Sequence, residues 1–239
     1  MAMRTAHLFD FDGVLLRKHK AHNVIGNQCS RFVGKVLNIR DPVQATEVNK
    51  HLYTTYGHSY LGLRGLGYDV DLDEFNAYVY GRFDYYSHFK EVRHTHKEDV
   101  DEFLKIYQNE LVQPHACLFS NAPDKWCYTI MEMMGLPVEI KSMSDVTMNT
   151  LKPMEACYQS VETYLNQRGY DHFVFYDDTM VNLKKVAHKP YWTKVLISQN
   201  VSENPTYLAH DFTVASKPSH FIQSKHLSKN LKTYNTNPI

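Results

Sequence analysis

The stretch Ala6-His7-Leu8-Phe9-Asp10-Phe11-Asp12-Gly13-Val14 holds the strongest structural signal in the sequence. A short apolar run over Ala6–Phe9 is followed at once by two aspartates, Asp10 and Asp12. Such a run predicts a buried β-strand, and strands buried on both faces are typical of parallel sheets. Ligands of parallel sheets bind beyond the carboxyl ends of the strands, so the two acids lie where we expect chemistry.

From about Lys97 onward, predicted helices and strands alternate, which indicates an α/β fold with a mostly parallel sheet. Three further polar clusters are placed around these elements. Two of them end predicted strands, Phe119-Ser120-Asn121 and Tyr176-Asp177-Asp178, and Leu151-Lys152-Pro153 opens a predicted helix. Because the carboxyl ends of parallel strands meet at one edge of a sheet, we expect these clusters to come together with the first one.

The assembled site would contain four carboxylates, one hydroxyl group and one lysine. Four converging carboxylates repel one another and raise their pKa values unless a cation is present. Magnesium prefers oxygen ligands and leaves positions for water and substrate phosphate. A carboxylate nucleophile beside a metal ion and a lysine is a route to an aspartyl-phosphate. The residues of this predicted site are Asp10, Asp12, Ser120, Lys152, Asp177 and Asp178.

The ordered set of Asp-x-Asp, a serine after a strand, a lysine and Asp-Asp resembles the four-motif signature of the haloacid dehalogenase (HAD) superfamily. The resemblance implies an α/β fold: a Rossmann-like three-layer core with a parallel sheet, plus an inserted, all-helical C1-type cap. The core would cover residues 1–16 and 97–239, and the cap residues 17–96. No convincing strand is predicted between residues 17 and 96, which agrees with a helical insert.

By this resemblance, Asp10 attacks phosphorus and carries the phosphoryl group. Asp12 protonates the leaving oxygen and then takes a proton from the attacking water, a task that requires a pKa lifted toward neutrality. Ser120 donates a hydrogen bond to a non-bridging oxygen. Lys152 neutralises charge on the phosphoryl group and holds Asp10.

The resemblance also implies a magnesium site and a phosphate cradle. Asp10, the main-chain carbonyl of Asp12 and Asp177 would be ligands, with Asp178 as a direct or outer partner. Main-chain N–H groups of Phe11, Asp12 and Asn121 would help to bind the phosphate.

Within the insert, Asp41-Pro42 predicts a helix start and Gly57 its end. The stretch Tyr53–Leu63, with the later Asp73-Glu74-Phe75 and Tyr78-Val79, is similar to the cap of pyrimidine 5'-nucleotidase-like members. This similarity implies a nucleoside monophosphate as substrate. The chain departs from those members at Gly13-Val14, where they usually carry Asn-Thr and where phosphoglycolate phosphatases and phosphomutases carry Gly-Val.

Three tyrosines of this stretch fall at helical spacing, so packing within the cap explains most of them. They are Tyr53, Tyr56 and Tyr60. Candidate substrate contacts from the cap are Tyr56, His58 and Arg64.

Composition narrows the class of protein. Lys plus Arg and Asp plus Glu both number 26, so bulk charge does not favour nucleic acid or a membrane surface as partner. The four cysteines form no CxxC pair, which favours a reducing compartment, and the start has no apolar stretch of signal-peptide type. We therefore expect a cytoplasmic protein acting on a small phosphate monoester, with the oligomeric state left open.

Two alternatives remain beside a nucleotide phosphatase. One is a sugar-phosphate phosphomutase or a phosphoglycolate-type phosphatase, which share the aspartyl-phosphate chemistry. The other is a non-catalytic phosphate-binding scaffold on the same fold, although such a protein would have no need to keep Asp10, Asp12 and Lys152. A dehalogenase is disfavoured because Asp12 is present, and dehalogenation has no leaving oxygen to protonate.

Overall fold

A computed structural model of the chain describes residues 4–17, 19–108, 115–148, 150–198, 206–208, 212–215, 218 and 221. The strands are β1 (Thr5–Phe9), β2 (Ala116–Leu118), β3 (Lys141–Ser142), β4 (His172–Asp177), β5 (Trp192–Ile197), β6 (Thr206–Leu208) and β7 (Phe212–Ala215). The helices are α1 (Lys20–Leu37), α2 (Pro42–Tyr56), α3 (Ser59–Gly65), α4 (Leu72–Tyr80), α5 (Tyr85–Phe89), α6 (Val92–Thr95), α7 (Lys97–Tyr107), α8 (Asp124–Met134), α9 (Ser144–Thr147), α10 (Glu155–Asn166) and α11 (Met180–Lys185).

The strands form one sheet in the order β3-β2-β1-β4-β5-β7-β6. Every neighbouring pair is parallel except β6 and β7, which are antiparallel. Strand β1 lies between β2 and β4, and Phe9 is in register with both Leu118 and Tyr176. The three strands therefore end at the same level, and the residues that follow them share one edge.

Both faces of the sheet are buried against helices. Alternation along β1 places Phe9 in an apolar cluster with Tyr176 and Trp126. Its neighbour Leu8 packs in a second cluster with Phe175 on the opposite face. This arrangement is the reason for the run that precedes Asp10, apolar except for the buried His7, since a strand covered on both sides has no solvent-facing side.

The segment between β1 and β2 contains helices α1 to α7, of which α1 to α6 lie within the predicted insert, residues 17–96. Helices α1 to α4 share an apolar cluster of their own, with Phe32 of α1, Leu52 of α2 and Phe75 of α4 at its centre. As predicted, α2 starts where the Asp41 side chain accepts a hydrogen bond from an N–H of its first turn. It ends at Gly57, whose φ of 77° is in the left-handed region.

Several element boundaries differ from the sequence prediction. The sequence of residues 71–86 predicts a single helix, but α4 ends at Tyr80 and α5 begins after Asp84, whose side chain caps it by accepting from the N–H of Ser87. The apolar character of Val138–Ser142 predicts a strand, but only the last two residues form β3. The edge strand β6 was not predicted from the sequence.

In the described part of the chain, no helix combines the length and the apolar character needed to cross a membrane. The expected fraying of the tail from Ser228 lies outside the described residues.

Candidate active site

The four sequence motifs come together at the carboxyl edge of the sheet. Asp10 directly follows β1, and its main-chain N–H donates to the carbonyl of Tyr176 at 2.9 Å. Ser120 lies two residues beyond β2, and Asp177 is the last residue of β4. Lys152 precedes α10 and reaches the same point from the neighbouring loop. The convergence that the sequence predicted is therefore present.

Lys152 is fully buried between two of the acids. Its Nζ donates to Oδ2 of Asp177 at 2.8 Å and lies 3.2 Å from Oδ1 of Asp10. Burial alone favours the neutral amine, but the two carboxylates outweigh it and raise the pKa of Lys152. The residue is therefore an ammonium ion that neutralises part of the acidic charge.

The side chain of Asn121 positions the lysine. Its Nδ2 donates to the main-chain carbonyl of Lys152 at 2.8 Å, and its Oδ1 accepts from the main-chain N–H of Lys152 at 2.8 Å. This reciprocal pair fixes the loop that carries Lys152. The sequence predicted a role only for the main-chain N–H of Asn121, and not for this side-chain contact.

The two adjacent acids of the fourth motif have different surroundings. Asp177 is fully buried, and its oxygens accept from Lys152, from the main-chain N–H of Thr179 at 2.7 Å and from Nδ2 of Asn182 at 3.1 and 3.2 Å. Asp178 is exposed and lines the cavity described below. A ligand entering the site therefore meets Asp178 rather than Asp177.

Gly13 allows Asp178 to approach the first motif. Its φ is 83°, and a Cβ at this position would lie 2.0 Å from Oδ2 of Asp178. Any larger residue would displace the carboxylate. The departure at Gly13-Val14 noted in the sequence thus has a local physical reason.

Three carboxylates form a cluster suited to a metal ion. Oxygens of Asp10, Asp177 and Asp178 all lie within 4.8 Å of one another. Burial and the neighbouring carboxylates raise the pKa of Asp10 well above its usual value, against the lowering effect of Lys152. Desolvation in the cleft and the charge of Asp177 raise the pKa of Asp178 to about 6. One ammonium ion does not balance these charges, so the donor set fits a hard cation.

The carboxylate of Asp12 lies apart from this cluster. Nε1 of Trp126 is 3.2 Å from both of its oxygens, and Nε2 of His22 is 3.0 Å from Oδ1. Trp126 belongs to α8 of the core and His22 to α1 of the insert. Neither contact was predicted from the sequence.

The phosphate cradle differs in part from the expectation. The N–H of Phe11 donates to Oδ1 of Asp10 at 2.7 Å, so it is already engaged with this carboxylate and orients it. The hydroxyl oxygen of Ser120 accepts from the N–H of Ala122 at 3.1 Å, and the same side chain is hydrogen-bonded to the thiol of Cys127. Ser120 also lines the cavity described below.

A cavity of about 570 Å³ lies over these groups, between the sheet edge and the helices of the insert. From the core, it is lined by Asp10, Asp12, Gly13, Ser120, Asn121, Ala122, Trp126, Lys152, Asp178, Thr179 and Asn182. From the insert, it is lined by His22, Ile25, Gly26, Cys29, Asn49, Lys50, Tyr53, Gly57, His58, Ser59 and Tyr80.

Two of the three cap contacts that the sequence suggested are not in this lining. Tyr56 packs in the apolar cluster of the cap, and Arg64 pairs with Asp69 at 2.6 Å. His58 does line the cavity, and burial lowers its pKa to about 4, so it is neutral.

The spacing of the tyrosines did not show which one faces the site. Tyr53 lines the cavity, whereas Tyr60, like Tyr56, packs against the apolar cluster of the cap. Asn49 and Lys50, one turn before Tyr53 on the same helix, line the cavity as well. Helical periodicity from Tyr53 could have pointed to Asn49, but only the placement of α2 over the sheet shows which face is turned inward.

Comparison with solved structures supports the fold. The chain is similar to a defluorinating L-2-haloacid dehalogenase, with a TM-score of 0.50 and 14% identity over 93% of this chain and 94% of that chain. A second L-2-haloacid dehalogenase gives a TM-score of 0.50 and 14% identity over 93% of this chain and 99% of that chain. The chain has the haloacid dehalogenase fold.

The predicted HAD core is thereby confirmed, whereas the similarity of the cap to pyrimidine 5'-nucleotidase-like members stays a prediction. A scan against models of known protein families and a search of curated proteins both find no match. At 14% identity, the two dehalogenases inform the fold of this chain and not its reaction.

Proposed function

We propose that the protein is a magnesium-dependent phosphomonoester hydrolase that works through an aspartyl-phosphate on Asp10. The observation that carries this proposal is the floor of the cavity. There a carboxylate held by a buried ammonium ion at 3.2 Å adjoins two further carboxylates, with oxygens within 4.8 Å. A nucleophilic acid, a fixed cation and a hard-metal donor set are the parts that phosphoryl transfer requires.

The surroundings of each acid suggest how magnesium would be held. Asp10, Asp178 and the main-chain carbonyl of Asp12 are the proposed ligands. Asp177 belongs to the same cluster, and the family resemblance implied it as a direct ligand. Its oxygens already accept from Lys152, Thr179 and Asn182, so its proposed role is to orient the lysine instead. A bound Mg²⁺ supplies positive charge that offsets the three acids and the negative charge of the phosphoryl group.

Asp10 is oriented for attack through one of its oxygens. Its Oδ1 accepts from the N–H of Phe11 and faces Lys152. Within the described part of the chain, no donor is positioned on Oδ2, so this oxygen is the proposed nucleophile. Oδ2 forms a bond to phosphorus as the bond between phosphorus and the leaving oxygen breaks, and Asp12 gives its proton to that oxygen.

The second half of the reaction regenerates the enzyme. Asp12, now a carboxylate, takes a proton from a water molecule that attacks phosphorus. The bond between phosphorus and Oδ2 of Asp10 then breaks, releasing inorganic phosphate. Lys152 stays protonated throughout and neutralises charge on the phosphoryl oxygens, to which the Ser120 hydroxyl donates.

The cap side of the cavity supports a nucleoside monophosphate as substrate, most simply a pyrimidine one. A volume of about 570 Å³ is within the range of sites that enclose ligands of this size. Tyr53, His58 and Tyr80 provide aromatic surface, and Asn49 and Lys50 provide polar groups. The similarity of the cap sequence to pyrimidine 5'-nucleotidase-like members points to the same class.

The test is release of inorganic phosphate from a panel of UMP, CMP, dUMP, AMP and phosphoglycolate with magnesium present. We expect turnover that chelation abolishes, a preference for pyrimidine nucleotides, and no turnover by Asp10→Asn. Asp73→Asn, an exposed acid on α4, is the matched control and should behave as the native protein does.

Three results would refute the proposed mechanism or identify a different activity. Activity that survives Asp10→Asn would refute the aspartyl-phosphate. Transfer of phosphate between positions of a sugar phosphate without its release would identify a phosphomutase. Halide release from a 2-haloacid, with no phosphate release from any ester, would identify a dehalogenase.

A further inference from the structure

The candidate acid–base residue, Asp12, is held from two sides. The core contributes Nε1 of Trp126, 3.2 Å from both carboxylate oxygens. The insert contributes Nε2 of His22 in the first turn of α1, 3.0 Å from Oδ1. A carboxylate with a single donor can rotate about its last bond, whereas two donors from different directions fix its plane.

The second nitrogen of His22 determines which partner donates. Nδ1 of His22 accepts from the main-chain N–H of His19 at 3.4 Å, in the capping box of α1. A neutral imidazole has one donor and one acceptor nitrogen, so the hydrogen is on Nε2 and points to Asp12. The backbone at the start of α1 therefore orients the ring, and the ring orients the acid.

We propose that His22 is a positioning residue for Asp12, supplied by the cap helix α1. This inference rests on the phosphatase function proposed above. His22 acts through Asp12 by aligning its carboxyl group with the leaving oxygen of the substrate. Because the contact joins α1 to the first motif, the alignment exists only while α1 lies over the cavity.

Such a role affects one step more than the others. Protonation of the leaving oxygen limits the rate for a poor leaving group such as the alkoxide of a nucleoside or glycerol. It contributes little for p-nitrophenyl phosphate, whose nitrophenolate departs readily without a proton. Loss of His22 should therefore be seen in kcat for alkyl phosphates, with little change in KM.

The variants separate this role from helix capping. Glutamine at the third helical position can accept from the cap N–H, as in a standard capping box, and can also donate to Asp12. Methionine has the same length but neither donates nor caps. His22→Gln and His22→Met are thus matched in size, and His51→Met, at an exposed site on α2, controls for the introduction of methionine.

The experiment compares kcat and KM of the full-length native protein, His22→Gln, His22→Met and His51→Met with UMP, glycerol 2-phosphate and p-nitrophenyl phosphate. We expect His22→Met to lower kcat on the two alkyl phosphates about tenfold, the value of one hydrogen bond to the carboxylate that forms as Asp12 gives up its proton. On p-nitrophenyl phosphate, kcat should fall about twofold or less. His22→Gln should restore most of the loss, and His51→Met should match the native protein.

Two outcomes would overturn the positioning role: an equal loss on all three substrates, which is the signature of a structural effect, or no loss on the alkyl phosphates. The result for the native protein distinguishes the two proposals. Native protein that releases no phosphate from any of the three esters would refute the phosphatase function, and the role of His22 with it.

Discussion

The approach of Asp178 to Gly13 leads to the sharpest prediction. In Gly13→Ala, the new Cβ would lie 2.0 Å from Oδ2 of Asp178, whereas ordinary contact begins at 3.4 Å. The carboxylate must therefore retreat from 2.0 Å to at least 3.4 Å, by about 1.4 Å. A displacement of about 1 Å in a catalytic constellation can cost on the order of 10²-fold in rate.

The same substitution also strains the backbone. The φ of Gly13 is 83°, and a residue with a Cβ in the left-handed region costs about 1–2 kcal/mol, part of which is offset by the lower entropy of the unfolded chain. Gly67 provides the control, because its φ is 88° and no atom lies within 4 Å of its would-be Cβ. Gly67→Ala has the backbone strain without the displaced acid.

The assay combines unfolding in urea with phosphate release at increasing magnesium concentration. Both variants should lose about 1 kcal/mol in the free energy of unfolding. Only Gly13→Ala should lose about 10²-fold in kcat/KM and require more magnesium for half-maximal activity. The reasoning is refuted if Gly13→Ala keeps its activity within about threefold, or if Gly67→Ala loses as much.

Three other outcomes follow from the same structure. Asn121→Ala removes both hydrogen bonds to the main chain of Lys152. The free energy of unfolding in urea should therefore decrease by about 2 kcal/mol, and kcat should fall. Unchanged values would contradict the positioning role of Asn121. The pKa of Asp178 is about 6, so Mg²⁺ affinity measured by isothermal titration calorimetry should decrease as the pH falls below about 6. An affinity that does not change with pH would argue against Asp178 as a ligand. Burial lowers the pKa of His7 to about 4, so below pH 6.5 the unfolded state binds a proton that the folded state does not. The free energy of unfolding should therefore fall between pH 6.5 and 4, by at most about 3 kcal/mol for this residue. His7→Phe should flatten that pH dependence.

Local sequence was sufficient for the framework of the molecule. The short run Ala6–Phe9 predicted a buried strand, because a strand covered on both faces needs no alternation of polar residues. Asp41, Pro42 and Gly57 marked the two ends of α2, since capping and a left-handed turn depend on residues next to the helix end. Signals of this kind act over a few residues and can be interpreted without the rest of the chain.

The same reasoning brought the four motifs to one place. Strand ends in a parallel sheet meet at a common edge, so the order of the clusters sufficed to predict that Asp10, Ser120 and Asp177 are neighbours. The chemical types of the residues then favoured a metal ion and a phosphoryl group.

What adjacent residues do was decided by tertiary structure. Asp177 and Asp178 are equivalent in the sequence, but β4 turns the first into the protein and leaves the second at the cavity. Tyr53 and Tyr56 lie on one helix, and the packing of α2 turns only Tyr53 toward the site. Successive side chains along a strand point to opposite faces, and those along a helix point in different directions around its axis. The role of each side chain therefore depends on what covers the face to which it points.

The contacts of Asp12 show most clearly what could not be predicted from the sequence. His22 is 10 residues from Asp12 and Trp126 is 114 residues away, and neither belongs to a motif. Both residues reach Asp12 because the insert folds back over the edge of the sheet and because α8 packs beneath that edge. Sequence alone determined which groups can react. Tertiary structure determined which of their atoms are oriented, shielded and charged for the reaction, because those properties come from contacts between segments distant in the chain.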